Sequence, residues 1–219
     1  MRFRPFIGGL GSIVAAAFLV CTTSVSSHAT VVLSNFSQPD VCAGIFCFGA
    51  TDTTWFGQQF TTDNKTYSVT SIDTLVNLRG SNMLLIAIYG DAAGSPGSQI
   101  GTALTFDSMT ELGTYDRQHY LSDGTITLLP TTDYWFVFGS SGGGNPNYQA
   151  TPNLMNTGPF IINNTQAISF NSGSNWTVIS PDDSVKFEIA ATAIPEPGTL
   201  ALFGLGLAGL GFARRKRMI

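Results

Sequence analysis

Few residues in this 219-residue chain can do acid–base or nucleophilic chemistry. A serine–histidine–aspartate relay needs an imidazole to take the nucleophile's proton. His119 is the candidate, because His28 falls in the N-terminal leader. In Asp116-Arg117-Gln118-His119-Tyr120, strand alternation would put Arg117 and His119 on one side, which reads first as a solvated or half-buried face. Glycoside hydrolysis needs two carboxylates about 5–10 Å apart in a cleft. The available glutamates are Glu111 and Glu188, while Asp107 with Glu111 and the pair Asp182-Asp183 sit beside Ser, Gly or Pro and read as turn residues. Asp182, Asp183 and Asp91 could offer oxygens to calcium, but no calcium-loop spacing is present. Ser141-Gly142-Gly143-Gly144 has no following Lys to make a phosphate loop. The expectation is a chain with no catalytic residues, no metal site and no cofactor.

Two other residue types carry chemistry of binding and oxidation. Trp55 and Trp176 are candidates for stacking on sugar rings, since an indole face offers apolar contact to a pyranose; the competing reading is that they are core. Trp135, inside an apolar run, reads as core, and Trp176, after Asn171-Ser172-Gly173-Ser174, reads as the most exposed of the three. Cys42 and Cys47 are an even pair once Cys21 leaves with the leader, and a disulfide across Cys42–Cys47 suits an oxidising compartment. A zinc site wants four ligands, and His119 is the one other soft ligand in the body.

The elements that must hold these residues read as strands. The body, residues 30–194, is rich in Thr, Ser, Gly, Asn and aromatics and shows no helical stripe and no internal repeat. Strand-like runs fall at 30–36, 55–61, 67–78, 83–89, 100–106, 114–121, 125–129, 134–139, 160–162, 166–170, 176–179 and 184–192. Many short strands without helices predict a single antiparallel β-sandwich, jelly-roll-like. Val185, Phe187 and Ile189 should face the core, with Lys186 and Glu188 in water. The runs 83–89 and 134–138 are apolar on both faces and should be central strands or have their second face covered. Residues 140–147, rich in Ser, Gly and Asn, should be the most mobile loop.

The ends have a different character. Met1-Arg2-Phe3-Arg4, an apolar run from Pro5 to Cys21 and Ser27-His28-Ala29 read as a cleavable signal peptide over residues 1–29. At the other end Pro195-Glu196-Pro197 halts regular structure, since each proline fixes its φ and constrains the residue before it. The 17 uncharged residues from Pro197 to Ala213 follow, then Arg214, Arg215, Lys216 and Arg217. Such a run makes roughly 25 Å of helix, short for a hydrocarbon core of about 30 Å, and its basic end would stop transfer in the cytoplasm. Taking residues 195–219 as a transmembrane sorting helix leaves an exported body with four basic and thirteen acidic residues, a net charge of −9. That sign excludes nucleic acid and anionic lipid as partners of the body.

The proline–glutamate–proline triplet, the Leu/Gly/Ala run and the basic finish, in that order, resemble the PEP-CTERM sorting signal of Gram-negative bacteria that make exopolysaccharide. The resemblance implies an exported protein processed at the membrane by an exosortase and retained transiently at the inner membrane before release to the envelope or extracellular matrix. Within the body, Gln58-Gln59-Phe60-Thr61-Thr62, Tyr67–Ile72, Ile88-Tyr89-Gly90-Asp91 with Gly94–Ser98, Leu128-Leu129-Pro130 and Thr132–Trp135 resemble the choice-of-anchor R-type domain. That likeness implies no enzymatic activity. A non-catalytic envelope or exopolysaccharide-matrix protein is therefore expected. A carbohydrate-binding module and a hydrolase are the rivals, separable by where Trp55, Trp176 and His119 point.

Overall fold

The computed structural model describes residues 28–40, 48–77, 84–112, 114–140, 145–180, 183–195 and 206. The expected Cys42–Cys47 disulfide, the signal peptide up to residue 27 and the basic residues 214–217 lie outside them, as does the glycine-rich stretch 141–144. Sixteen strands are described in chain order. They are β1 (Thr30–Ser34), β2 (Phe48–Gly49), β3 (Trp55–Thr61), β4 (Tyr67–Asn77), β5 (Leu84–Asp91), β6 (Pro96–Gln99), β7 (Thr105–Thr110) and β8 (Asp116–Leu121). There follow β9 (Thr127–Leu128), β10 (Asp133–Ser140), β11 (Asn147–Tyr148), β12 (Ala150–Thr151), β13 (Ile161–Ser169), β14 (Thr177–Ile179), β15 (Ser184–Val185) and β16 (Phe187–Ala193).

Every recorded pairing is antiparallel. The six-stranded sheet runs β14-β13-β3-β10-β5-β6. The eight-stranded sheet is built on the long β4, which β16 and β8 flank over residues 71–74, with β1 outside β16 and β7 outside β8. β12 and β15 form a separate ladder of two strands. The two large sheets share one core. Phe187 of β16 stacks on Phe136 of β10 with ring centroids 4.6 Å apart, and Phe60 of β3 meets the same ring at 6.5 Å. Ile72, Val76 and Ile189 close the core from one sheet and Ile86, Ile88 and Phe138 from the other, all of them buried. Aromatics at alternate positions on facing strands thus meet across the core, where offset stacking adds to the gain from burial.

Sequence pattern and structure differ at several places, two of which bear on the core. The run 100–106 is not one strand: Gly101, at φ +63°, turns the chain between β6 and β7. Ile100 and Leu104 nevertheless reach β5, whose Ile88 and Ile86 carbonyls accept their amides at 2.8 and 2.9 Å. The second correction concerns Lys186, which is 3% exposed rather than in water. A break separates β15 from β16 at this residue, and its ammonium donates to the carbonyls of Phe36 and Gln38 and to the Asp40 carboxylate. Val185, Phe187 and Ile189 are fully buried as expected, whereas Glu188, expected in water, has a side chain only 16% exposed because Arg117 pairs with it.

Candidate functional site

Chemistry-bearing side chains gather on the outer face of each sheet. On the eight-stranded sheet, alternation along β8 sends Gln118 and Tyr120 inward, both buried, and leaves Arg117 and His119 on the outer face. Register sets His119 opposite Asp73 of β4, and Asp73 in turn opposite Glu188 of β16. The Arg117 guanidinium donates to Asp73 Oδ2 at 3.0 Å and to Glu188 Oε1 at 2.8 Å, and its Cζ lies 4.9 Å from the Phe36 ring centre. The hydrogen bond to Asp73 is the main reason the guanidinium's proton is held above its ordinary range, against the opposing effect of burial. His119 Nδ1 is 2.8 Å from Asp73 Oδ1. A carboxylate there requires N–H on Nδ1, so the neutral ring keeps Nε2 as its acceptor.

An open cleft of about 450 Å³ lies over this group, lined by Asp73, Asp107, Ser108, Thr110, Arg117 and His119. Ser108 is the cross-strand partner of His119, so aspartate, histidine and serine do share one face. The serine hydroxyl, however, donates to its neighbour Asp107 at 3.0 Å, and β7 is exposed along its whole length. A working relay needs the hydroxyl on the imidazole and donors placed for a developing oxyanion. What the geometry does supply is an ionic clasp joining β4, β8 and β16. Sequence reading found Arg117 and His119 but missed Asp73, because the register between strands 44 residues apart is not visible in a linear pattern.

On the six-stranded sheet the outer face carries all three tryptophans. The odd-numbered residues of β3, namely Trp55, Gly57, Gln59 and Thr61, share this face with Trp135 and Val137 of β10. Trp135 is fully buried there, with Trp55, Leu85, Tyr89 and Trp176 packed round it. Glycines make the room. A Cβ at Gly57 would sit 3.2 Å from Trp135, and one at Gly139 would sit 2.6 Å from Trp55. Gly173, at φ +79°, brings the turn after β13 down against Trp55 from the other side. Trp135 is thus buried as expected, but in a second cluster outside the main core. Trp55 and Trp176 are each partly buried in it, and Tyr89 meets the Trp176 ring edge-on at 6.4 Å.

Beside the aromatics runs a chain of polar side chains that sequence reading did not single out. Trp135 Nε1 and Gln59 Nε2 donate to Asp91 Oδ1 at 2.9 and 3.1 Å, and Asn163 Nδ2 donates to Gln59 Oε1 and Thr61 Oγ1 at 3.1 and 2.9 Å. The Thr61 hydroxyl in turn donates to Asp133. The available signal was the polar alternation of Gln59 and Thr61 behind Trp55 and Gly57. Asp91, considered above for calcium, is committed to this chain, and Gly94 N donates to its second oxygen at 2.9 Å. Among the described residues no three His, Cys, Asp or Glu side chains lie together as a metal group.

The sorting residues are at the margin of the described chain. Pro195 is included; Glu196 and Pro197 are not. Ile194 N still donates to Thr66 O at 2.8 Å, so the body's order runs to the edge of the triplet. No helix among the described residues is long and apolar enough to cross a membrane, and the segment expected to do so lies outside them except for Gly206.

A comparison with curated proteins finds no match to this chain. A family model does: the PEP-CTERM protein-sorting motif matches residues 193–217, beginning on the last residue of β16 and leaving the rest of the all-β body outside the match. With the proline triplet, apolar run and basic end all inside the matched segment, the chain carries a PEP-CTERM sorting motif, the mark of an exported protein addressed to an exosortase in Gram-negative bacteria.

Proposed function

We propose that the chain is a non-catalytic protein of the cell envelope or exopolysaccharide matrix, delivered with a cleaved signal peptide over residues 1–29 and held for a time in the inner membrane by residues 195–219. The observation that carries this reading is the sorting motif joined directly to an all-β body, with no described spacer between β16 and the triplet. The all-β antiparallel body supports reading it as a jelly-roll-like, choice-of-anchor R-type sandwich, a binding scaffold more than a reaction vessel. The absence of catalysis is supported by the way Ser108, His119 and Arg117 are committed on the outer face.

Mass spectrometry of the C-terminus of envelope-extracted protein tests the sorting step. The expected product ends near Pro195-Glu196-Pro197, and replacing the triplet with three alanines should leave a membrane-bound chain about 25 residues longer, the length of the matched segment. A triplet variant that fractionates and migrates like the parent would refute the assignment. A second reading, a carbohydrate-binding module, is favoured by one specific observation: the half-buried tryptophan and tyrosine rings beside a hydrogen-bonded polar chain on one sheet face.

A further inference from the structure

We infer that the outer face of the six-stranded sheet is a binding face for a neutral, hydroxyl-rich polysaccharide lying across the strands beside Trp176 and Tyr89. The inference deepens the matrix reading by naming the ligand class, and it rests on that reading only in that the ligand is extracellular. Three observations carry it. First, aromatic and planar polar groups are placed together. Trp176 and Tyr89 are partly exposed, and the chain from Asp91 through Gln59 and Asn163 to Asp133 crosses β5, β10, β3 and β13. Neighbouring strands are about 4.8 Å apart, so this chain spans roughly 14 Å, enough for a short run of sugar rings. Rings offer apolar C–H faces to aromatics and hydroxyls to amides and carboxylates, which matches that division of the surface.

Second, the indole N–H groups of Trp55 and Trp176 are buried with no hydrogen-bond partner among the described residues. Buried donors are seldom left so, because each forfeits the hydration it had in the unfolded chain. A ligand hydroxyl would accept from the Trp176 N–H once that partly exposed ring swings outward. The polar chain beside them is already locked by internal bonds, so the face is arranged before any ligand arrives, which lowers the ordering cost of binding.

Third, the charge of the face selects among polysaccharides. Among the described residues its carboxylates are Asp91 and Asp133, while Arg117 and Lys186 are tied to carboxylates of the other sheet and its approach segment. A uronate chain would bring like charge against two carboxylates on a body of net charge −9. A neutral glycan would not.

The test uses the full-length chain and its own fluorescence. All three tryptophans lie in this cluster, so ligand arriving here must change the emission, and ligand bound elsewhere must not. Titration with an array of neutral glucans, galactans and mannans, with alginate as the uronate probe, should give saturable emission changes with at least one neutral polymer and weaker or absent changes with alginate. Trp176→Ala should weaken that binding about tenfold or more, as loss of an aromatic anchor does, and Trp176→Phe should restore most of it. Thermal melting and near-ultraviolet circular dichroism of both variants show whether the fold survives. Binding of no neutral polymer, tighter binding of alginate, binding with unchanged parental emission, or equal affinity in a folded Trp176→Ala would each overturn the inference. None of these outcomes touches the sorting assignment, which the C-terminal mass decides separately.

Discussion

Lys186 and Asp40 make an ion pair with very unequal surroundings, and the inequality predicts which partner is costlier to remove. The lysine side chain is 4% exposed and the aspartate side chain 64%. Lys186→Met deletes the buried charge and replaces it with a side chain of similar length. It leaves behind a carboxylate already mostly in water and the carbonyls of Phe36 and Gln38, which lie in the segment after β1 and can rehydrate. The cost should be about 1–2 kcal/mol, the range for leaving polar groups short of a partner. Asp40→Ala does the opposite, stranding an ammonium in the interior with only two carbonyls. Breaking a buried pair in that way costs about 3–5 kcal/mol, and the remaining carbonyls place this case near 3.

Urea unfolding followed by tryptophan emission reads both. With a slope of about 2 kcal/mol per molar for a domain of this size, the midpoint should fall by about 0.5–1 M for Lys186→Met and about 1.5 M for Asp40→Ala, at unchanged slope. The exposed residue would then be the more destabilising one to change. A Lys186→Met loss equal to or larger than that of Asp40→Ala would refute the argument, as would an Asp40→Ala midpoint within error of the parent.

Three further outcomes can be checked on the same footing. Phe187→Ala, which empties the contact between the two sheets, should cost about 3–5 kcal/mol in urea unfolding. Gly139→Ala should cost about 1–3 kcal/mol by driving a methyl against Trp55, with a shift in tryptophan emission as the ring is displaced. Tyr67 donates to Asp63 from a buried site, and burial first, then that hydrogen bond and charge, raises its phenol from 10.0 to about 12. Its contribution to stability is fully present below pH 10 and is lost as pH rises toward 12, because the unfolded chain ionises first. Tyr67→Phe should flatten that alkaline decline in melting temperature.

Strand existence was legible wherever one face met the core, since a period of two in apolar residues survives any tertiary detail. β3, β4, β8, β10 and β16 all lie where their patterns put them. The runs 160–162 and 166–170 are one strand, β13, whose register shifts between Ile162 and Gln166 where Asn163 and Asn164 interrupt the apolar pattern. What stayed hidden was set by pairing between distant segments. Nothing local to Asp73 tells of Arg117 and His119. Nothing local to Lys186 tells that the chain after β1 folds over it, and a single charged residue between apolar ones reads as surface. The second aromatic cluster was half legible: the doubly apolar run 134–138 announced a covered outer face without saying that Trp55 and Trp176 cover it.

The first and last strands of the body are neighbours, with Thr30 paired to Ala191, and the sorting segment starts where β16 stops. Force applied at Pro195 would therefore pull on the end of β16, between β1 on one side and β4 on the other. Drag on the outer face of the opposite sheet loads both ladders in shear, so their hydrogen bonds share the force together instead of opening one at a time. Phe187, stacked across the core at the far end of β16, must be drawn past Phe136 before the strand can slide. Force entering at Pro195 would therefore meet two ladders and a stacked ring pair at once.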